Sequence, residues 1–84
     1  MKTHEQAGHE LTLVLLYLNS WIEKREQLRR AWKGFRFEDL DWLEEAGLLW
    51  QGKRAKSAYL TEEGEAKARE LLAELGLGHL VEEK

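Results

Sequence analysis

The feature that most constrains the fold is a segment near the start of the chain that is apolar on almost every side. With the exception of Thr12, every residue from Leu11 to Leu18 is aliphatic or aromatic. A helix without a polar face has to be buried all round, and a chain of 84 residues has only a small core in which to bury it. We therefore predict that one side of this helix, including Leu15 and Leu16, meets a second copy of the chain. The run is too short to cross a membrane, and we expect a homodimer formed through the first and last helices.

The length allows one domain, and the composition limits how that domain is held together. The chain has no cysteine, so neither a disulfide nor a thiolate metal site can contribute. Residues 1–8 are polar and are predicted to form a flexible arm, which leaves residues 9–84 for the folded domain. This arm does not have the features of a signal peptide, so a cytoplasmic location is expected.

Local patterns predict a mixture of helices and short strands. Residues 22–30 are rich in good helix formers and would either continue the first helix or form a second one. The alternation of aromatic residues over 30–35 is typical of a short strand. Residues 37–46 carry apolar side chains at three-residue spacing, which predicts a helix, and Gly47 occupies the position of a C-terminal glycine cap.

The second half of the chain predicts a hairpin followed by a closing helix. Apolar residues in 48–50 and 56–60 flank a basic turn that contains Gly52, as expected for two paired strands. Thr61 is a good N-cap, and the two glutamates after it suit the positive end of a helix dipole. The order of these segments predicts an α+β fold, a small winged helix with a two- or three-stranded wing.

Sequence motifs in this half are similar to those of known regulators. L-D-W-L-E-E-A-G over 40–47 is followed by the basic turn and by L-T-E-E-G over 60–64. This arrangement resembles that of MarR- and PadR-type winged-helix regulators, which belong to the helix-turn-helix proteins. In those regulators a recognition helix ends at a glycine, the wing follows, and L-T-x-x-G opens the closing helix. The resemblance implies a winged-helix fold.

Most of the chain resembles a family of short bacterial proteins of unknown function. The family pattern combines L-L-Y-L, R-A-W-K-G, L-D-x-L-x-E-x-G, K-A-K-S and L-T-E-E-G, which here occupy residues 15–18, 30–34, 40–47, 54–57 and 60–64, with Arg54 in place of the first lysine. The resemblance implies the same fold and brings no activity. The chain departs from the pattern at one helix, which usually carries basic residues where this sequence has Trp42, Glu44 and Ala46.

Charge is distributed in blocks of opposite sign. Nine of the thirteen lysines and arginines lie in residues 21–36 and 51–57, whereas residues 38–45 carry five acids and no base. Phosphate contacts depend on basic side chains, so the acidic helix would be repelled from a DNA groove. The wing is the better candidate, because its bases suffice to contact phosphates. The predicted nucleic-acid-binding residues are Lys53, Arg54 and Lys56 on the wing, together with Arg29, Arg30, Lys33 and Arg36.

Two functions remain open at this point. The preferred function is a DNA-associated or regulatory accessory protein that contacts the nucleic-acid backbone through the basic wing. The alternative is a winged-helix module for protein interaction or dimerisation that does not bind DNA, in which the same bases meet the acidic helix of a neighbouring subunit or protein partner. A shared fold does not decide between them.

The four tryptophans are assigned to packing. Trp21, Trp32 and Trp50 are expected to be core or strand-packing residues. Trp42 lies on the flank of the apolar face of its helix, where burial within the monomer and burial in an interface fit its position equally well.

The residues required for catalysis or cofactor chemistry are not arranged in a recognisable way. Neither Ser20 nor Ser57 has a histidine in a triad context. His4 and His9 are five residues apart and His79 is remote, so no helical metal pair is expected. We therefore expect no enzyme activity, no metal and no cofactor.

Overall fold

A computed structural model describes residues 2–25, 27–52 and 54–81. In chain order its elements are α1 (His4–Leu18), β1 (Trp21–Glu23), β2 (Leu28–Trp32), α2 (Phe37–Glu45), β3 (Leu49–Gln51), β4 (Ser57–Leu60), α3 (Glu62–Glu74) and a short 3₁₀ turn (Gly78–Leu80). The strands form one antiparallel sheet in the order β1-β2-β4-β3. The predicted α+β class is confirmed. Within the described ranges the sheet has four strands, because β1 and β2 join the predicted wing strands β3 and β4.

Helix α1 begins earlier than the sequence pattern predicts. Thr3 accepts a hydrogen bond from the backbone N–H of Gln6, and the Gln6 side chain accepts one from the backbone N–H of Thr3. This capping box satisfies N–H groups that the first turn of a helix leaves without partners. Residues 4–8, which were expected in a flexible arm, are therefore helical.

The apolar helix α1 is buried on one side within the monomer. The side chains of Leu13 and Leu16, both on α1, are fully buried against α2, α3 and the sheet. Leu11, Leu15 and Leu18 are 48%, 46% and 40% exposed on the opposite side. The prediction of an interface role is therefore wrong for Leu16, whose side chain belongs to the core, whereas Leu15 lies on the free side of the helix.

Residues 21–32 form a hairpin instead of a helix. Trp21 pairs with Arg30 and Glu23 pairs with Leu28, and Gln27 turns the chain with a left-handed φ of 59°. Alternate residues of β2 are buried, and β2 pairs with β4 along its other edge. Pairing on both edges outweighs the good intrinsic helix propensity of this segment. The strand expected over 30–35 starts two residues earlier, at Leu28.

The second half of the chain follows the predicted order. Helix α2 ends at Glu45, and Gly47 has the left-handed φ of 79° that a C-terminal glycine cap adopts. The side chain of Thr61 accepts a hydrogen bond from the backbone N–H of Gly64 and so caps α3. The hairpin, the glycine cap and the threonine cap are confirmed.

Helix α2 is preceded in the chain by strand β2 and followed by strand β3. A helix-turn-helix needs two helices joined by a turn of three or four residues, and in the described ranges no other helix lies that close to α2 in the chain.

The core forms between the helices and the inner face of the sheet, which contributes Ala31, Leu49, Ala58 and Leu60. None of the helices described here is long and apolar enough to span a membrane.

Candidate nucleic-acid interface

The outer face of the sheet carries a row of large side chains that crosses all four strands. Trp21 pairs with Arg30, Arg30 pairs with Tyr59, and Tyr59 pairs with Trp50. Residues that pair directly point to the same face of a sheet. Trp32, two residues after Arg30, lies on this face as well. We call these five residues the aromatic face.

The tryptophans of the aromatic face are strand-packing residues, not core residues. Trp32 and Trp50 are 64% and 55% exposed, which excludes them from the core. The Trp21 and Trp32 rings pack with centroids 5.3 Å apart, and the Trp50 and Tyr59 rings with centroids 5.7 Å apart. These tilted pairs hold the rings in place while one side of each exposed indole stays open to solvent.

Arg30 is fixed at the centre of the aromatic face. Its Nε donates a hydrogen bond to Ser57 Oγ at 2.6 Å, and its guanidinium lies 5.0 Å from the centroid of the Tyr59 ring. Glu23 lies 3.5 Å from one terminal nitrogen of the guanidinium. The Arg30 side chain remains about one third exposed, at 31%, so its guanidinium is accessible between the two ring pairs, with its charge partly offset by the Glu23 carboxylate.

Three predicted bases gather at one end of the sheet, beside Trp32. The backbone N–H of Lys33 donates to the carbonyl of Lys56 at 2.9 Å, and Lys33 Nζ donates to the carbonyl of Gly52 at 3.3 Å. Arg54 and Lys56 are exposed in the turn between β3 and β4. We call Lys33, Arg54 and Lys56 the wing bases. Lys53, which was predicted to bind with them, lies outside the described residues.

Arg29 lies on the opposite face of the sheet from Arg30. Its side chain is 3% exposed, donates to Ser20 Oγ at 2.8 Å, and approaches a Glu65 oxygen at 3.5 Å. Its guanidinium is also 4.6 Å from the centroid of the Tyr17 ring. The prediction that Arg29 contacts nucleic acid is wrong for this conformation, because successive strand residues point to opposite faces and Arg29 points inward.

Arg36 directly precedes α2 and pairs with Asp39 of that helix, not with the wing bases. Its Nε donates to Asp39 Oδ2 at 3.0 Å, and His9 Nδ1 donates to the other oxygen of Asp39 at 2.8 Å. The hydrogen bond from Arg36 is the main cause that lowers the pKa of the Asp39 carboxyl, and that from His9 contributes. Arg36 is exposed, but its charge is paired with this carboxylate.

The side of α2 that faces the wing is acidic. Asp41 and Glu44 both accept hydrogen bonds from Gln51 Nε2, at 3.0 and 3.1 Å. Together with Phe37 and the wing base Lys33, they line a groove of about 290 Å³ between α2 and the wing. Because the two acids outnumber the one base in its lining, a phosphate backbone is expected to avoid the groove itself and to contact Arg54 and Lys56, which lie outside its lining.

The two remaining candidates for interface residues, Trp42 and Leu15, lie on the helices. The Trp42 ring stacks on His9 with a centroid distance of 4.6 Å and is 40% exposed, so it is partly packed within the monomer. Leu15 lies one turn after Leu11 on α1. Leu11 and Leu75 help to line an apolar groove of about 270 Å³ between α1 and α3.

Within the part of the chain described here, no group of three or more histidines and acidic residues could hold a metal ion.

Tyr59 and the shared orientation of the tryptophans were not identified from the sequence. The alternation in L-R-R-A-W, which puts Arg30 and Trp32 on one side and Arg29 and Ala31 on the other, was the available signal. That signal could have separated Arg30 from Arg29. It could not have shown that Trp50 and Tyr59 join the same face, because this depends on how β2, β4 and β3 pair.

Comparison with known proteins defines a family without an assigned activity. Comparison with curated proteins and with solved structures gave no significant match. Residues 4–77 match the family described as "Domain of unknown function (DUF6429)", a range that runs from the start of α1 to just beyond the end of α3. Because the match covers most of the chain, the protein belongs to the DUF6429 family.

Proposed function

We propose that the protein is a nucleic-acid-associated accessory protein that contacts the phosphate backbone through the wing bases. The observation that carries this proposal is that Lys33 hydrogen-bonds to the backbone of Lys56 and Gly52 at one end of the sheet. Arg54 and Lys56 are exposed in the turn at that same end. The chain has no cysteine, which suits a protein of the reducing cytoplasm. A regulatory role is compatible with a small domain that binds the nucleic-acid backbone.

The charge distribution determines what kind of binding is expected. The net charge is −3, so attraction to phosphate has to come from the local basic end of the sheet. The acidic side of α2 does not offer the Arg, Lys, Asn or Gln side chains that commonly read base edges. We therefore expect weak binding that is indifferent to sequence and decreases steeply with salt.

The test is a titration of a fluorescent duplex of roughly 20 base pairs between about 50 and 200 mM salt. Substitution of Arg54 and Lys56 by Ala should weaken binding and reduce the slope of log affinity against log salt by about two, one for each lost phosphate contact. The matched control replaces Lys24 and Arg25, two exposed bases in the β1–β2 turn at the opposite end of the sheet. This control makes the same change in net charge and should leave the slope unchanged.

The outcomes distinguish binding through the wing bases from attraction that depends only on the net charge of the chain. Equal losses in the two double variants would mean that net charge, not the wing, governs binding. Absence of salt-dependent binding by the unmodified chain to duplex and single-stranded DNA alike would reject the proposal.

A second candidate function is self-association through the helical side of the molecule. The observation that favours it is the exposure of Leu11 and Leu15, one turn apart on α1, and of Leu75, which directly follows α3. We call these three residues the apolar strip, and two of them, Leu11 and Leu75, line the groove between the helices. The lining of the groove carries both signs of charge, with Lys2 paired to Glu10 and close to Glu74. Across a two-fold axis, the lysine of one copy can face the glutamates of the other.

A further inference from the structure

We infer that the preferred ligand is single-stranded nucleic acid, whose unpaired bases stack on the aromatic face while the wing bases hold the backbone. This inference rests on the proposed function, since it assigns a substrate class to the same end of the molecule. It adds a second binding element, the open face of the sheet. Contact with a duplex backbone does not require this element.

The aromatic face has the geometry that base stacking needs. Trp32 and Trp50 expose 64% and 55% of their surface, and each is held from one side by a neighbouring ring. They lie on β2 and β3, which are separated by β4, so about 10 Å of sheet lies between their strands. An open four-stranded sheet with aromatic residues is a platform on which two or three unstacked bases can be bound.

The charges on this face suit a nucleic acid better than a purely apolar partner. Arg30 lies between the two ring pairs and is held by Ser57 and Glu23 in a fixed orientation. Lys33 and Lys56 lie next to the end of the strand that carries Trp32. Aromatic rings interleaved with cations combine stacking of bases with attraction of phosphates, which is the usual composition of a single-strand site.

A duplex cannot use the aromatic face in this way. Its bases are paired and stacked on each other, and only their edges are accessible in the grooves. A protein that binds duplex through the wing bases alone would therefore gain nothing from Trp32 and Trp50. The difference between single-stranded and duplex affinity measures the contribution of the aromatic face.

The experiment compares oligo(dT) with a duplex of equal length, by fluorescence anisotropy at one salt concentration. The full chain should bind oligo(dT) more tightly than the duplex. The variant Trp32→Ala/Trp50→Ala should lose at least tenfold in affinity for oligo(dT), with little change for the duplex. Trp42→Ala, which removes a partly exposed tryptophan from α2, is the matched control and should bind oligo(dT) normally.

The results distinguish failure of this inference from failure of the proposed function. If single strand and duplex bind equally and the double tryptophan variant binds both normally, stacking is excluded and the backbone contact stands. If neither ligand binds, both proposals fail together. If the double variant instead loses self-association in sedimentation and the chain binds no oligo(dT), the aromatic face is a contact between copies of the chain and the inference is overturned. Circular dichroism of each variant establishes that binding is compared among folded proteins.

Discussion

Gly64, in the first turn of α3, packs directly against the backbone of Leu48. A Cβ atom built on Gly64 would lie 1.9 Å from the Leu48 carbonyl oxygen, a distance that neither backbone segment can accept without moving. The same carbonyl receives the backbone N–H of Thr61 at 3.3 Å, so the start of α3 is fixed close to the strand β3. The glycine of the L-T-E-E-G motif is therefore required by a close approach of two backbones.

We predict that Gly64→Ala destabilises the protein by about 2–3 kcal/mol, because it over-packs a backbone contact. Gly34→Ala is the matched control, since Gly34 has open space around its Cβ position and no left-handed φ. That change should be neutral or stabilise by about 0.5 kcal/mol through the unfolded chain. Urea unfolding followed by circular dichroism measures both, and similar stabilities of the two variants would contradict the close approach.

Asp39 connects α2 to α1, and its ionisation makes this connection depend on pH. The carboxyl is buried, it accepts from Arg36 and His9, and its pKa lies below the ordinary value of 3.8. Since the folded pKa is lower than the unfolded one, the carboxylate stabilises the fold above about pH 4. This contribution is lost as the pH falls from about 4 through the folded pKa.

We predict that Asp39→Asn lowers the free energy of unfolding by about 1–3 kcal/mol at neutral pH, because an amide cannot accept from both Arg36 and His9 as a carboxylate does. The difference from the unmodified chain should shrink below about pH 4. Glu45→Gln, which changes an exposed acid on the same helix, is the control. A difference that is constant from pH 7 to pH 3 would show that the charge of Asp39 does not matter.

At the level of elements, the two halves of the chain differ in how far local signals determine the structure. The glycine cap of α2 at Gly47 and the threonine cap of α3 at Thr61 are local, and the hairpin between them has a clear turn, so this half could be predicted. The hairpin of β1 and β2 could not, because residues 22–30 favour a helix and become strands only by pairing with β4. The residues of the candidate nucleic-acid interface divide in the same way. The bases of the wing were identified from the local sequence. The aromatic face could not be, because it depends on the register between distant strands.

Strand register also decides the roles of two adjacent arginines. Arg29 faces inward and connects β2 to α3 through Glu65, whereas Arg30 faces outward. We predict that Arg29→Ala destabilises the protein by about 2–4 kcal/mol, since it leaves an empty space and removes the partly buried hydrogen bond to Ser20. Arg30→Ala should change stability by less than about 1 kcal/mol, because its contacts are partly exposed.

Thermal unfolding of the two arginine variants provides the comparison, with the unmodified chain as reference. An equal loss of stability in both would mean that the two faces of β2 are equally involved in folding. A smaller loss for Arg29→Ala than for Arg30→Ala would contradict the observed register.

At the level of the whole molecule, the two candidate surfaces lie on opposite sides. The helices cover the inner face of the sheet, so the free sides of α1 and α3 point away from the aromatic face. A dimer formed through α1 and α3 would leave both aromatic faces and both sets of wing bases open. Two such sites on one particle could engage one long strand together, which raises the apparent affinity without new contacts. The two proposed functions, self-association and nucleic-acid binding, are therefore compatible in one molecule.

The final prediction separates folding from assembly on α1. Leu15 is 46% exposed and Leu16 is fully buried, so a charge has different consequences at these neighbouring positions. Leu15→Glu should abolish the proposed dimer and leave a folded monomer of 9.9 kDa, because it places a charge on the apolar strip and not in the core. Leu16→Glu should unfold the chain, because it buries an unpaired charge in the core. Leu28→Glu, which changes an exposed leucine on the outer face of the sheet, is the control and should leave the dimer intact.

Sedimentation velocity at micromolar concentration, with circular dichroism of the same samples, measures both properties. If the unmodified chain sediments as a folded monomer at high concentration, self-association is rejected. If Leu28→Glu dissociates the dimer and Leu15→Glu does not, the copies meet through the sheet, and the aromatic face is covered in the dimer. The single-strand proposal would then require that nucleic acid and the second copy compete for one surface, and adding oligo(dT) should convert dimers to monomers.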